Sequence, residues 1–234
     1  MKQIKRGAHP KDAAEFGPQA IEKLKTASTH ICYLLNAGYQ LKSASVFVGN
    51  HFLLSERQRL AIVRSTASEE QIRQRREKEC RKETMRGKTV HIDGFNSIIT
   101  LEIALCESLL LQCMDGTIRD LAGLRGTYRV IEETSEAVQL IAAALTDLGA
   151  AKAVFYLDAP VSNSGRLKSL IAHVWENFEP ELEIRVINEV DQVLQNQECV
   201  ITSDSIILDR CQSWFNLVGL CIERTKAVPV KVWQ

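Results

Sequence analysis

The second part of the chain alternates short apolar runs with amphipathic stretches, and this alternation constrains the fold more than any other feature. The runs are almost unbroken, which is typical of strands buried on both faces. Strands joined through helices pair in parallel. The pattern therefore predicts a mostly parallel sheet between two helix layers, a three-layer α/β/α domain. The predicted strands are 88–92, 152–157, 182–187, 199–202 and 214–222, and the predicted helices are 98–114, 133–148, 164–178 and 204–212.

The first part of the chain has the pattern of a small all-helical region. Helices are predicted near 18–37, 40–49, 56–66 and 69–84. Two of them begin at capping boxes, in which a serine is followed three residues later by a glutamine: Ser55 with Gln58, and Ser68 with Gln71. We place the domain boundary where the last charged helix ends. This gives a basic helical region at 1–86 and an α/β domain at 87–234.

The formal net charge of zero hides an asymmetry between the two regions. Residues 1–88 hold 18 Lys and Arg against 9 Asp and Glu, and residues 89–234 hold 11 against 20. A basic region of this kind predicts a polyanionic partner such as RNA. The alternative is a solvated basic surface with no partner.

Several classes of protein do not fit the sequence. The 7 cysteines form no C-x-x-C pair, which argues against a disulfide framework. The basic N-terminal residues lack the apolar core of a secretory signal, and no window is apolar enough to span a membrane. Glycine-rich nucleotide-binding loops and a nucleophile elbow are also missing from the sequence. We expect a cytoplasmic protein.

Aspartates follow four of the five predicted strands. They are Asp93, Asp158, Asp191 and Asp204. Because binding sites in open parallel sheets lie beyond the carboxyl ends of the strands, we expect these carboxylates to meet at one edge. Clustered carboxylates repel one another unless a cation lies among them, and hard oxygen ligands suit Mg²⁺ or Mn²⁺. Each aspartate taken singly could instead be a helix N-cap.

Two polar residues near Asp93 extend the candidate site. Asn96 lies three residues further on, where it could orient a ligand or contact the scissile phosphate. Glu102 shares the apolar face of the predicted helix with Ile98 and Leu105, and a carboxylate there needs a partner or a metal. The alternative for Glu102 is a favourable interaction with the helix dipole in the first turn.

The acidic motifs resemble the NYN-type nucleases of the PIN-like superfamily. I-D-G-F-N (92–96) is similar to the family signature, and the likeness continues through Y-L-D-A (156–159), N-E-V-D-Q (188–192) and V-I-T-S-D-S (200–205). It covers roughly residues 88–222. The order and spacing suit the ribosome-associated NYN endoribonucleases of bacteria. The whole chain also resembles a prokaryotic family of unknown function that carries a basic helical N-terminal region.

The resemblance implies a PIN-like fold, Mg²⁺- or Mn²⁺-dependent cleavage of RNA, and the ribosome as a partner. Two features depart from the family pattern. The next acid after Asp204 is Asp209, which a helix would rotate away from the site, and the insertion at 119–129 has no counterpart in the family.

Candidate phosphate-binding residues lie in three places. The 119–129 loop, the V-S-N-S-G-R turn (161–166) and the charged helix provide them: Arg119, Arg125 and Arg129; Ser162 and Ser164; Arg73, Arg75 and Arg76. Tyr128 could stack on a base. The alternatives are arginines paired with neighbouring acids, and Ser164 as an ordinary helix cap.

Together these features predict a divalent-metal-dependent ribonuclease. Asp93, Asp158, Asp191 and Asp204 would bind the metal, and the basic helices would bind the RNA backbone. One alternative is a non-catalytic PIN-like module that binds RNA or protein. Another is a metal-dependent phosphatase, because an acidic strand-end site suits several phosphoryl reactions.

Overall fold

The computed structural model describes residues 5–123 and 126–234. The strands are β1 (Thr89–Asp93), β2 (Leu110–Gln112), β3 (Ile118–Asp120), β4 (Lys152–Asp158), β5 (Glu181–Ile187), β6 (Val200–Ile201) and β7 (Val230–Lys231). The helices are α1 (Asp12–Glu15), α2 (Pro18–Asn36), α3 (Leu41–His51), α4 (Glu56–Ser65), α5 (Glu69–Glu77), α6 (Gly94–Leu105), α7 (Glu133–Asp147), α8 (Ser164–Trp175), α9 (Val190–Leu194), α10 (Ser205–Arg210) and α11 (Leu217–Ile222), and a 3₁₀ turn spans Lys82–Thr84.

The larger sheet has four parallel strands in the order β5-β4-β1-β6. Alternate residues of its strands enter two separate cores, as the period of a strand requires. Ile92 and Phe155 join the core formed with α6, α7, α8 and α11. Val154 and Tyr156 face the opposite way, into the core formed with α9 and α10. The predicted mixed α/β class with a mostly parallel sheet is therefore confirmed.

A second sheet, which the sequence did not predict, joins the two regions. It has the order β3-β2-β7, with β2 antiparallel to β3 and parallel to β7. Leu111 of β2, and Leu121 and Val232 next to β3 and β7, share a core with Leu24 and Ile62 of the helical region. The boundary at residue 86 remains a prediction, but apolar packing crosses it.

The capping boxes of α4 and α5 are confirmed. In each, the serine accepts from the backbone of the third helical residue, and the glutamine there accepts from the backbone of the serine. The serine and glutamine side chains thus pair backbone N–H groups at the start of each helix that have no partner within the helix, as the sequence predicted.

Two predicted helices are wrong in extent, and one predicted strand is wrong in type. The helix predicted at 98–114 starts at Gly94 and ends at Leu105. It ends there because Glu107 takes a positive φ of 52°, a conformation that glycine usually provides at the end of a helix. The strand predicted at 214–222 is mostly α11, capped by Asn216, because an apolar run fits a buried strand and a buried helix equally well. The helix predicted at 69–84 ends at Glu77.

Candidate functional site

The order of the strands creates a crevice between β1 and β6. The chain places β4 and β5 on one side of β1 and then returns to place β6 on the other side. Ligands of open α/β sheets bind at such a reversal, beyond the carboxyl ends of the strands. Asp93 ends β1, and Thr202, Ser203 and Asp204 follow β6. The acidic residues thus lie where the fold itself favours a site.

Asp93 is a buried carboxylate at the start of α6. It caps the helix by accepting from the Asn96 backbone at 3.4 Å, and its Oδ2 accepts from the Thr202 hydroxyl at 2.8 Å. Burial raises its pKa to about 7; the Thr202 hydrogen bond opposes the rise, and the negative charges of Asp204 and Asp191 add to it. A proton or a cation must therefore compensate this group near neutral pH.

Gly94 explains why the helix can begin so close to the sheet. A Cβ atom at this position would lie 2.9 Å from the Tyr156 carbonyl and 2.5 Å from a methyl carbon of Leu157. Only glycine allows α6 to approach β4 this closely. The Asp-Gly pair of the sequence is thus a capping residue followed by a point of contact with the neighbouring strand.

Asp204 lies across the crevice from Asp93, at the start of α10. Its Oδ1 accepts from the Ile206 backbone at 2.7 Å, so it is also a helix N-cap. Thr202 links the two acids, because its hydroxyl donates to Asp93 and accepts from the Asp204 backbone at 3.0 Å. The N-cap role and a place in the acidic cluster are therefore compatible.

Asp158 and Asp191 extend the cluster along the same edge of the sheet. Partial burial and the charge of Asp191 raise the pKa of Asp158. Partial burial and the charge of Asp204 raise the pKa of Asp191. The four predicted aspartates therefore form one electrostatically coupled group, as their positions after the strands predicted.

The donor set of this cluster fits a hydrated divalent ion. Among the described residues, no three His, Cys, Asp or Glu side chains already form a group that could hold a metal. Mg²⁺ does not require such a group, because it keeps several waters and often takes only one or two carboxylates directly. Burial, and then the negative charges of Asp204 and Asp191, raise the pKa of Asp93, and a bound cation would offset the cost of ionising it.

Asn96 orders the turn that carries Asp204. Its Oδ1 accepts from both the backbone N–H and the hydroxyl of Ser203, each at 2.9 Å. Its Nδ2 has no hydrogen-bond acceptor within the part of the chain that the structure describes. The side chain thus fixes the turn after β6 and leaves an amide donor beside the acidic edge.

The structure corrects the placement of Glu102. This residue lies well beyond the first turn of α6, and its carboxylate pairs with Arg6 at 2.8 Å and accepts from Tyr128 at 2.6 Å and from Thr134. Burial raises its pKa, and the hydrogen bonds from Thr134 and Tyr128 oppose the rise. These partners include none of the four aspartates, so both the metal-site and the helix-dipole interpretations are wrong.

Two of the predicted phosphate-binding arginines are buried in ion pairs. Arg75 contacts Asp115 at 2.6 Å and Asp209 at 2.7 Å. Arg119 donates to the Ser203 carbonyl at 2.6 Å and also pairs with Asp115. The prediction that they bind phosphate is wrong, because buried guanidinium groups with these partners are structural. Arg119 instead supports the turn after β6.

The other candidates of the 119–129 loop and the charged helix differ in exposure. Arg73 is exposed and pairs with Glu70 and Glu77, and Arg76 is exposed on the same helix. Arg129 is exposed. Arg125 lies outside the described residues. Tyr128 is buried, so its predicted stacking on a base is wrong.

In the V-S-N-S-G-R turn, the two serine N–H groups that could have bound a phosphate already have acceptors within the protein. The Ser162 N–H donates to Gly126 at 3.1 Å, and the Ser164 N–H donates to Val161 at 3.3 Å. Asn163, with a φ of 65°, is the N-cap of α8, so the expected capping role of Ser164 is also wrong.

Sequence reasoning missed two residues of the site. Thr202 joins Asp93 to Asp204, and only its place between the β6 strand and an aspartate could have pointed to it. Arg64 of α4 lines the same pocket as Asn96 and Asp204. No local signal marks it, because it comes from the other region of the chain.

Fold and site together define an α/β protein with a carboxylate cluster at the strand-order reversal of a parallel sheet. The chain belongs to the family described as a domain of unknown function (DUF5616), whose model matches residues 82–220. A second model, a protein of unknown function (DUF434), matches residues 23–78.

One relative spans both regions. The chain is 37% identical over 185 residues to the uncharacterized protein MJ0935 of Methanocaldococcus jannaschii. The aligned residues make up 79% of this chain and 88% of the relative. No solved structure shows a significant match to the chain. No helix within the described residues is long and apolar enough to cross a membrane.

Proposed function

We propose that this protein is a divalent-metal-dependent ribonuclease that hydrolyses RNA phosphodiester bonds at the acidic edge of the larger sheet. One observation carries the proposal. Asp93 is buried at the strand-order reversal, next to two further carboxylates, and its pKa is raised to about 7. Such a group destabilises the folded chain when it is ionised, and a function that needs a cation explains why it is there.

The residues of the site divide into direct and indirect ligands. Asp93 and Asp204 face each other across the crevice and would hold Mg²⁺ or Mn²⁺ directly, while Asp158 and Asp191 would act through water. A bound ion would supply a water of lowered pKa and offset charge on the phosphate. Asn96 keeps the Asp204 turn in place, and its free amide can donate to a phosphate oxygen.

RNA as the substrate is supported by the basic helical region and its position. Arg73 and Arg76 are exposed on α5. The ion pair between Arg75 and Asp209 joins α5 to α10, the helix that Asp204 caps. The exposed arginines are therefore fixed on an element next to the acidic site, where they can contact the backbone phosphates.

We also propose that the α/β domain is PIN-like and of the NYN type. The support is the order of the motifs together with their positions. Asp93, Asp158, Asp191 and Asp204 each come from one of the motifs that resemble that family, and they form one coupled cluster. By the same resemblance the ribosome is a proposed partner.

An RNA cleavage assay tests the function. Purified protein would be incubated with mixed RNA in Mn²⁺, in Mg²⁺ and in EDTA. We expect cleavage with metal, none with EDTA, and at least a hundredfold loss in Asp93→Asn or Asp204→Asn. Asp147→Asn is the matched control, because this exposed acid ends α7 at the opposite edge of the sheet.

Each alternative result would indicate a different function or a different set of site residues. RNA binding that is equal in Mg²⁺ and EDTA, without cleavage, would indicate a non-catalytic module. Hydrolysis of small phosphate esters with intact RNA would indicate a phosphatase. Full cleavage by Asp93→Asn would remove Asp93 from the site.

A further inference from the structure

A pocket of about 210 Å³ lies beside Asp204, between the helical region and the α/β domain. Arg64 of α4 and Leu41 of α3 line one side of it, and Asn96 of α6 and Asp120 of β3 line the other. The helical region therefore forms a wall of the space next to the acidic cluster.

Only one of the three arginines of α4 faces this pocket. Arg57 binds Asp12 at 2.6 Å. Arg59 binds the Asn50 side chain at 3.0 Å, toward α3. Arg64 donates to the Asp120 carbonyl at 2.5 Å, contacts the Asp120 carboxylate at the longer distance of 3.4 Å, and lines the pocket. Neighbouring positions of one helix thus provide both the candidate ligand and a matched control.

Arg64 has donors left for a ligand. In the part of the chain that the structure describes, its guanidinium uses only Nη1, although a guanidinium carries five N–H donors. The buried Arg119 next to it bonds through all three of its nitrogens. The Arg64 side chain is 30% exposed against 9% for Arg119, so it can reach a bound group.

We infer that this pocket binds the phosphate and ribose of one nucleotide adjacent to the bond that is cut, with Arg64 as the phosphate ligand. A planar guanidinium matches the oxygens of a phosphate. The Asn96 amide and the Ser203 hydroxyl add polar groups, and Leu41 offers an apolar surface. The identification of the ligand as an RNA nucleotide rests on the proposed ribonuclease function.

The size of the pocket supports a small ligand. Pockets for drug-sized molecules measure roughly 300–1,000 Å³, whereas this one measures about 210 Å³. It therefore suits one phosphate–ribose unit and not an extended strand. The rest of the RNA would lie outside the pocket, on the exposed basic surface.

The test measures binding of uridine 5′-monophosphate to the full chain in Mg²⁺ and its effect on catalysis. We expect Arg64→Ala to weaken binding at least tenfold and to raise the KM for RNA cleavage more than it lowers kcat. Arg64→Lys should bind with intermediate affinity, because it keeps the charge but loses the planar fork. Arg59→Ala should bind the monophosphate like the wild type.

The outcomes separate this pocket from the nuclease proposal. Equal monophosphate affinity in the wild type, Arg64→Ala and Arg64→Lys overturns Arg64 as a phosphate ligand and the pocket as a nucleotide site, even if RNA is cleaved. Arg64-dependent binding without any RNA cleavage supports phosphate binding in the pocket and overturns the ribonuclease function. If Arg64→Ala does not fold, Arg64→Lys decides. Release of inorganic phosphate from the monophosphate overturns the RNA nucleotide as the ligand.

Discussion

Replacing Asp93 by asparagine should change how the stability of the metal-free protein depends on pH. In the folded chain, burial and the neighbouring aspartates raise the pKa of Asp93 from 3.8 to about 7. The folded protein therefore holds a proton that the unfolded chain has lost at intermediate pH. The contribution of this proton to the free energy of unfolding is fully present below about pH 4 and is lost as the pH rises through about 7.

The size of the effect follows from the difference between the two pKa values. One pKa unit corresponds to about 1.4 kcal/mol, so the full rise corresponds to roughly 4 kcal/mol. Over an accessible range, from about pH 5 to about pH 8, Asp93 should account for roughly 2–3 kcal/mol of lost free energy of unfolding. Asparagine removes this loss and remains a good N-cap for α6.

Urea denaturation in EDTA at several pH values from 5 to 8 measures this difference. We expect the wild type to lose more stability than Asp93→Asn, and the two curves to approach each other at low pH. Asp158 and Asp191 titrate in both proteins, so the comparison isolates Asp93. Adding Mg²⁺ at pH 8 should stabilise the wild type more than the variant, because binding to the folded state raises its stability.

Asp147→Asn serves as the control and should follow the wild type. If Asp93→Asn showed the same pH dependence as the wild type, Asp93 would titrate near its ordinary pKa. The cluster would then hold no buried charge that needs a cation to offset it.

The contacts of Glu102, the burial of Arg75 and the apolar face of the second sheet give three further predictions. Glu102→Gln should lower the free energy of unfolding by about 1–3 kcal/mol through the lost ion pair and leave RNA turnover unchanged; reduced turnover with normal melting would return Glu102 to the site. Arg75→Ala should cost about 3–5 kcal/mol, because it leaves Asp115 buried and unpaired. Arg73→Ala should leave the free energy of unfolding nearly unchanged in a urea titration, because Arg73 is exposed, and equal losses in Arg73→Ala and Arg75→Ala would refute the difference in burial. A fragment of residues 87–234 should aggregate or melt well below the full chain, because it exposes the apolar face of the second sheet; a cooperative transition at the wild-type temperature would contradict this.

The order of the strands and the partner of Arg75 were decided by the tertiary structure. Arg75 and Arg119 look like phosphate ligands in the sequence, but Asp115 is 40 residues from Arg75 and becomes its partner only in the folded chain. Arg64 enters the site from the helical region for the same reason. Long-range contacts of this kind have no local signal.

The sequence by itself determined the features that depend on near neighbours. Strand alternation predicted the mixed α/β class and the parallel sheet, capping boxes predicted the starts of α4 and α5, and the aspartates after the strands predicted the acidic edge. These features follow from backbone geometry and hydrogen bonds that span a few residues. The end of α6 at Leu105 and the helical state of 217–222 were not predicted, because tertiary packing chose between conformations that the local sequence allows.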